Sequence, residues 1–145
     1  MTALVSFQTY LDDLSVIVMD GDFAAYADRV ALPFHMLTER ARFVVDTVTE
    51  LQAGFDDFRQ TLKIQQVTDL IRLADSASLL SEGLMSGRYV THMLSHANRI
   101  VPPFTSQMTL RCEAGTWRAV SISNALANDQ WPLRMPVVAT EVKFG

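Results

Sequence analysis

The chain has 145 residues, 49% hydrophobic and 19% charged, with six Gly and five Pro; this is enough apolar material for one core, and it excludes disordered and collagen-like chains. Residues 1–62 carry four basic and ten acidic side chains (−6) and residues 63–145 carry eight and six (+2), giving a formal charge of −4. The arginines of the second half stand singly rather than in a basic stripe, so no nucleic-acid partner is expected, and no uncharged apolar run approaches the roughly 18 residues of a membrane span.

The first segment reads as a helix, because Leu4, Phe7, Leu11, Leu14 and Val18 recur at steps of three and four. Gly21 is a natural stop, and Asp20 or Asp22 can cap a short second helix carrying Phe23, Tyr26 and Val30. Pro33 breaks that helix; residues 32–37 then read as a short strand and residues 40–45 as its hairpin partner. Thr47-Val48-Thr49-Glu50 is a capping-box pattern, followed by the stripe Val48, Leu51, Phe55, Phe58 and Leu62 of a third helix.

Beyond Lys63 the period changes from helical to alternating. Residues 67–73 form one expected strand and residues 79–96 a long one, bent at Gly83 or Gly87. Residues 107–113 and 117–126 follow, joined by the turn Glu113-Ala114-Gly115-Thr116. The tail from Asn128, with Trp131, Pro132, Pro136 and Phe144, is expected to be extended. The division is one domain over residues 1–127 and a C-terminal tail over residues 128–145. Helices followed by a run of strands define an α+β chain, its helices covering one face of a curved antiparallel sheet.

In this order of elements the chain resembles the NTF2-like superfamily, a cone-shaped α+β fold shared by ketosteroid isomerase, scytalone dehydratase and the SnoaL-like cyclases. Local phrasing agrees: Gly87-Arg88-Tyr89-Val90-Thr91-His92 in a long strand, then Gly115-Thr116-Trp117-Arg118 before the last one. The resemblance spans roughly residues 3–126. It implies a curved sheet wrapped around the N-terminal helices and one long helix, and pairing of two copies through their sheets. It implies no single function, because this fold hosts enzymes, binding modules and dimerisation domains alike.

Candidate site residues follow from which strand face is taken as concave. If the apolar sets Val90/Leu94, Met108/Leu110/Cys112 and Val120/Ile122 face the helices, His92 and Asn124 stand among apolar neighbours inside the cone. Sparse polar groups in an apolar concavity are the make-up of a small-molecule pocket. His92 is then the first candidate acid or base, since an imidazole titrates near neutrality; the alternative is a core histidine bonded to a neighbouring strand. The expected ligand-binding set is Tyr10, Phe34, His92, Met108 and Asn124, with Tyr10 as a donor from the first helix. Asp69 and Glu82 alternate with apolar residues, and would be either buried acids or exposed strand carboxylates.

Neither a metal nor a cofactor is expected. His92 and His96 have the i, i+4 spacing of a helical ligand pair, but on a strand that spacing separates them by roughly 13 Å. Walker, G-x-S-x-G and G-x-G-x-x-G patterns are absent. Cys112, the lone cysteine, reads as an inert core thiol, and together with an N-terminus lacking a basic leader it points to the cytoplasm. With Tyr89, Thr91, Met93, Thr109 and Trp117 assigned to the convex face, the outer surface carries an apolar patch suited to a homodimer formed through the sheet. Three functions are therefore open: a pocket binding a small, mostly hydrophobic molecule, an isomerase, dehydratase or cyclase working by proton transfer, and a pure dimerisation module.

Overall fold

A computed structural model describes residues 2–139. Helix α1 runs over Ala3–Asp20; the Thr2 hydroxyl caps its start and Gly21, at φ 75°, ends it in a left-handed turn. The short helix α2 (Phe23–Asp28) begins at Asp22, whose carboxylate accepts from Ala25 N–H. Strands β1 (Val30–Leu37) and β2 (Arg42–Val45) form the expected hairpin, and helix α3 (Val48–Ile64) starts on Thr47, whose hydroxyl accepts from Glu50 N–H. Arg59 of α3 donates to the carbonyls of Val18 and Met19 at 3.0 and 2.6 Å, tying the third helix to the open end of the first.

The rest is sheet: β3 (Asp69–Ser81), β4 (Leu84–Ser95), β5 (Asn98–Arg99), β6 (Phe104–Glu113) and β7 (Thr116–Asn124). The main path is β2-β1-β7-β6-β4-β3, with β5 paired to β4 off that path. Every pairing is antiparallel except β1 with β7. Register shifts in β1/β7, β3/β4 and β6/β7 curve the sheet. At the Ala114–Gly115 turn both residues have positive φ, the hand that matches strand twist.

The strand expected over residues 79–96 is two strands. Glu82 and Gly83 form a hairpin turn, so residues 79–81 end β3 and β4 begins at Leu84. The parity of β4 also differs from expectation. Met85, Gly87, Tyr89, Thr91 and Met93 are the buried set, while Val90, His92 and Leu94 are only half-buried on the convex side. The cause is local. A Cβ on Gly87 would overlap the Phe7 ring, so this glycine is where α1 lies down on the sheet. Tyr89, two residues on, meets Phe7 edge-on at 5.9 Å. In β6 the expected face holds, with Met108 and Leu110 at 1% exposure. Trp117, opposite Cys112, packs against the main core rather than lying on the convex face.

Two apolar clusters fill the cone. The first gathers Phe7, Tyr10, Leu11, Phe34, Met85 and Leu110, and the second Val18, Phe55, Leu62, Leu70, Met93 and Phe104. The tail returns along the sheet: Leu126 bridges Val138, and Asn128 bonds to Leu133, Met135 and Val137. Residues 140–145, Phe144 included, lie outside the described residues. No helix among the described residues is long and apolar enough to cross a membrane.

Candidate functional site

The functional candidate is a cavity of about 130 Å³ between the concave sheet, α1, α3 and the tail. Leu14 and Val18 border it from α1, Phe55 and Phe58 from α3, Phe104 and Met108 from β6, and Ile122 from β7. Trp131 and Leu133 of the tail close the α3 side. That closure depends on Gly54, because a Cβ there would overlap the indole of Trp131. The same indole donates to the Glu50 carbonyl at 3.2 Å.

A few polar groups break this apolar wall. Arg72 alternates inward with Leu70 on β3, and its Nη1 donates to the Ser15 hydroxyl of α1 at 2.8 Å. Gln8 holds that stretch of β3 in place, its side-chain amide donating to Arg72 O at 2.7 Å and accepting from Ala74 N–H at 2.7 Å. These bonds replace the ladder partners that an edge strand lacks on its open side. Tyr26 of α2 and Tyr89 of β4 also border the cavity. Burial pushes both phenols up from their ordinary range, Arg72 pulls both partly back, and Ser106 beside Tyr89 does the same for that residue. Both are therefore neutral hydroxyls at physiological pH. Asn124 accepts a short hydrogen bond from Ser106 on the same wall.

Asp57 contributes from α3. Its Oδ2 is enclosed, and among the described residues it has no hydrogen-bond partner. A carboxylate oxygen kept from water without a donor is costly unless something else supplies one.

Of the expected set, Met108 and Asn124 border this cavity. Tyr10 and Phe34 are buried but belong to the core beside it. The Tyr10 hydroxyl is already committed to the Arg29 carbonyl at 2.7 Å, and burial raises its ionisation well beyond the ordinary phenol range. His92 lies on the opposite side of the sheet, where its Nδ1 accepts from Arg99 at 2.9 Å. Its assignment to the concave face is corrected by the register of β4, so it borders no part of the cavity. Asp69 and Glu82 are both exposed. Cys112 is a free, half-buried thiol, and the described residues hold no cluster of three or more potential metal ligands.

Arg72 and Asp57 were not anticipated. Arg72 had a readable signal, since it shares strand parity with Leu70 and Ala74. Asp57 had none, because it sits beside Asp56 on what reads as a solvated helix face.

A second cleft, near the start of β1, is bordered by Arg111, Glu113 and Arg118. These pair with one another and with Asp28, although the buried Arg118 Nε has no hydrogen-bond partner among the described residues and meets Glu113 only at 3.8 Å.

No family model matches the chain, and no curated protein matches it in sequence. Solved structures do match. An NTF2-like protein of unknown function from Pseudomonas putida superposes with a TM-score of 0.64 at 8% identity, covering 97% of this chain and 96% of that one. Another from Shewanella oneidensis gives 0.61 at 9% identity, covering 84% and 94%. A third, described as a "putative ketosteroid isomerase" from Shewanella frigidimarina, gives 0.60 at 9% identity, covering 80% and 91%. At these identities the likeness concerns architecture, and it agrees with the element order and the curved, unclosed sheet: the chain has the NTF2-like fold.

Proposed function

We propose that this domain binds a small, mostly hydrophobic molecule in the cavity between the sheet and α3. The observation that carries the reading is the lining itself: apolar and aromatic side chains interrupted by Arg72, Arg134, Asp57, Thr91, Asn124 and two phenols. A cavity of about 130 Å³ is close to the roughly 150 Å³ that admits a benzene ring in a dry protein interior. The test is ligand-observed NMR and thermal shift against single-ring aromatic and alicyclic compounds. Saturation at about 100 times Kd should stabilise the fold by about 2.7 kcal/mol. Ile122→Trp, which fills the cavity, should abolish binding, and His92→Phe, on the other face, should leave it intact. If no compound of the set binds, or if Ile122→Trp binds equally well, the reading falls.

A second reading is a proton-transfer enzyme of the isomerase, dehydratase or cyclase kind, and Asp57 is what favours it. An unpartnered carboxylate oxygen on an apolar wall is placed to take a proton from a carbon acid, with the neutral phenols of Tyr26 and Tyr89 as donors. NMR-monitored deuterium exchange beside the carbonyl of small cyclic enones, lost in Asp57→Asn, would support it. Unchanged exchange in that variant would remove it.

The remaining proposals concern assembly and place. The argument for a homodimer through the sheet rests on the convex side, where Ile71 and Leu73, paired with His92 and Val90, are exposed. Tyr89, Thr91 and Met93 are buried and drop out of it. Light scattering should give twice the chain mass, and a monomer at micromolar concentration would leave a dimerisation module without support. The domain over residues 1–127 with its tail, and a cytoplasmic setting consistent with the lone thiol of Cys112, complete the reading.

A further inference from the structure

Arg72 is a half-buried arginine on the cavity wall with no ion-pair carboxylate among the described residues. Among the described residues, Arg29, Arg88, Arg111 and Arg118 form ion pairs, all of them at least partly exposed. Arg72 forms none. Its one side-chain hydrogen bond goes to Ser15, a neutral hydroxyl that is itself only 8% exposed. A guanidinium carries five N–H donors in a fixed fork, so most of the donors of this cation have no acceptor among the described residues. Holding a half-buried charge at an apolar wall without a counter-charge carries a desolvation cost, which an arriving anion offsets.

The position is also built rather than incidental. Gln8 brackets β3 on both sides of Leu73, and Ser15 holds one nitrogen of the fork, so the guanidinium is fixed before any ligand enters. The phenols of Tyr26 and Tyr89 stand beside it and stay protonated, so they do not neutralise the charge. The same cavity is bordered by Leu14, Phe55, Phe58 and Met108, whose side chains offer an acceptor-free surface for a ring or short chain.

We propose that the cavity selects small monocarboxylates: the Arg72 fork meets the carboxylate, and the apolar wall takes the rest of the molecule. The proposal rests on the binding reading above and narrows it to a substrate class. A single guanidinium matches a single negative charge bidentately. A dianion such as phosphate would bring a second charge into the same cavity as the Asp57 carboxylate, and the other cation on the lining, Arg134 of the tail, is exposed to solvent.

The experiment compares phenylacetate with phenylacetamide, which has the same shape and no charge, by calorimetry and ligand-observed NMR. The protein is the full chain, as wild type and as Arg72→Met. For wild type, phenylacetate should bind at least tenfold tighter than the amide. In Arg72→Met that preference should vanish while the amide binds as before, and Arg72→Lys should restore part of it. Equal binding of acid and amide to wild type, or an acid preference surviving in Arg72→Met, overturns this proposal and leaves the binding reading standing. Failure of both compounds, and of every neutral ring compound tried, overturns both. If Arg72→Met does not fold, which far-UV circular dichroism reports, the acid-to-amide ratio of the wild type decides alone.

Discussion

Replacing Gly87 by Ala should destabilise this protein, although alanine is the better residue for a strand. The added methyl would sit within 3.0 Å of three atoms of the Phe7 ring. Phe7 is fully buried and braced by Tyr89, so the ring has little room to withdraw. Overpacking of this kind costs about 1–3 kcal/mol, and three close approaches to a rigid ring argue for the upper end. Removing a strand glycine returns about 0.5–1 kcal/mol. The net expectation is a loss of about 2 kcal/mol, which at a urea slope of about 2 kcal/mol/M lowers the midpoint by about 1 M. The decisive measurement is the same substitution in a Phe7→Ala background. There the clash is gone and only the backbone term is left, so Gly87→Ala should raise stability by about 0.5–1 kcal/mol. The sign of the effect must therefore reverse between the two backgrounds. If Gly87→Ala is destabilising by the same amount in both, Phe7 is not the reason this position is glycine.

Thr47→Ala removes the hydroxyl that accepts from Glu50 N–H at 3.1 Å, and it should cost about 1 kcal/mol in a urea titration without changing the helical signal. The only tyrosines of the chain are Tyr10, Tyr26 and Tyr89, and burial raises the ionisation of each in the folded state. The folded protein therefore keeps protons that the unfolded chain releases above about pH 10, so stability is intact below that pH and falls as pH rises beyond it, by up to about 1.4 kcal/mol per pH unit per tyrosine. Tyrosinate absorbance near 295 nm should appear together with loss of the far-UV signal; smooth ionisation of a folded protein near pH 10 would contradict the burial of these rings.

Helix limits were legible because they depend on local chemistry. Gly21 and Thr47 act through their own backbone and hydroxyl, and both terminate helices where expected. The face of β4 was not legible, because both of its sides carry apolar residues: Val90 and Leu94 alternate as regularly as Met85, Tyr89 and Met93. What decides between them is a long-range event, the descent of Phe7 onto Gly87, which no window of β4 contains. His92 followed that face outward; Met108 stayed inside on the one clear apolar side of β6, and Asn124 stayed inside because a register shift moves the inward set of β7 from Trp117 and Ala119 to Ile122 and Asn124. Asp57 was not separated from Asp56 in the sequence, since both fall off the apolar stripe of α3.

The parallel pairing of β1 with β7 bears on how this protein is made. Thr38 and Arg118 each bond to a partner 90 residues away in sequence, across the seam where the first strand of the sheet meets the last. While the ribosome is still producing the middle of the chain, β1 has only the short β2 beside it and an open ladder on its other side. α1 meanwhile can settle on β3 and β4, but the cone cannot close until β7 and the tail have left the exit tunnel. Folding is thus weighted toward the end of synthesis, with the slow kinetics of non-local contacts. Chains cut short before residue 116 should be released with the edge of β1 unpaired, a template for joining one unfinished chain to another.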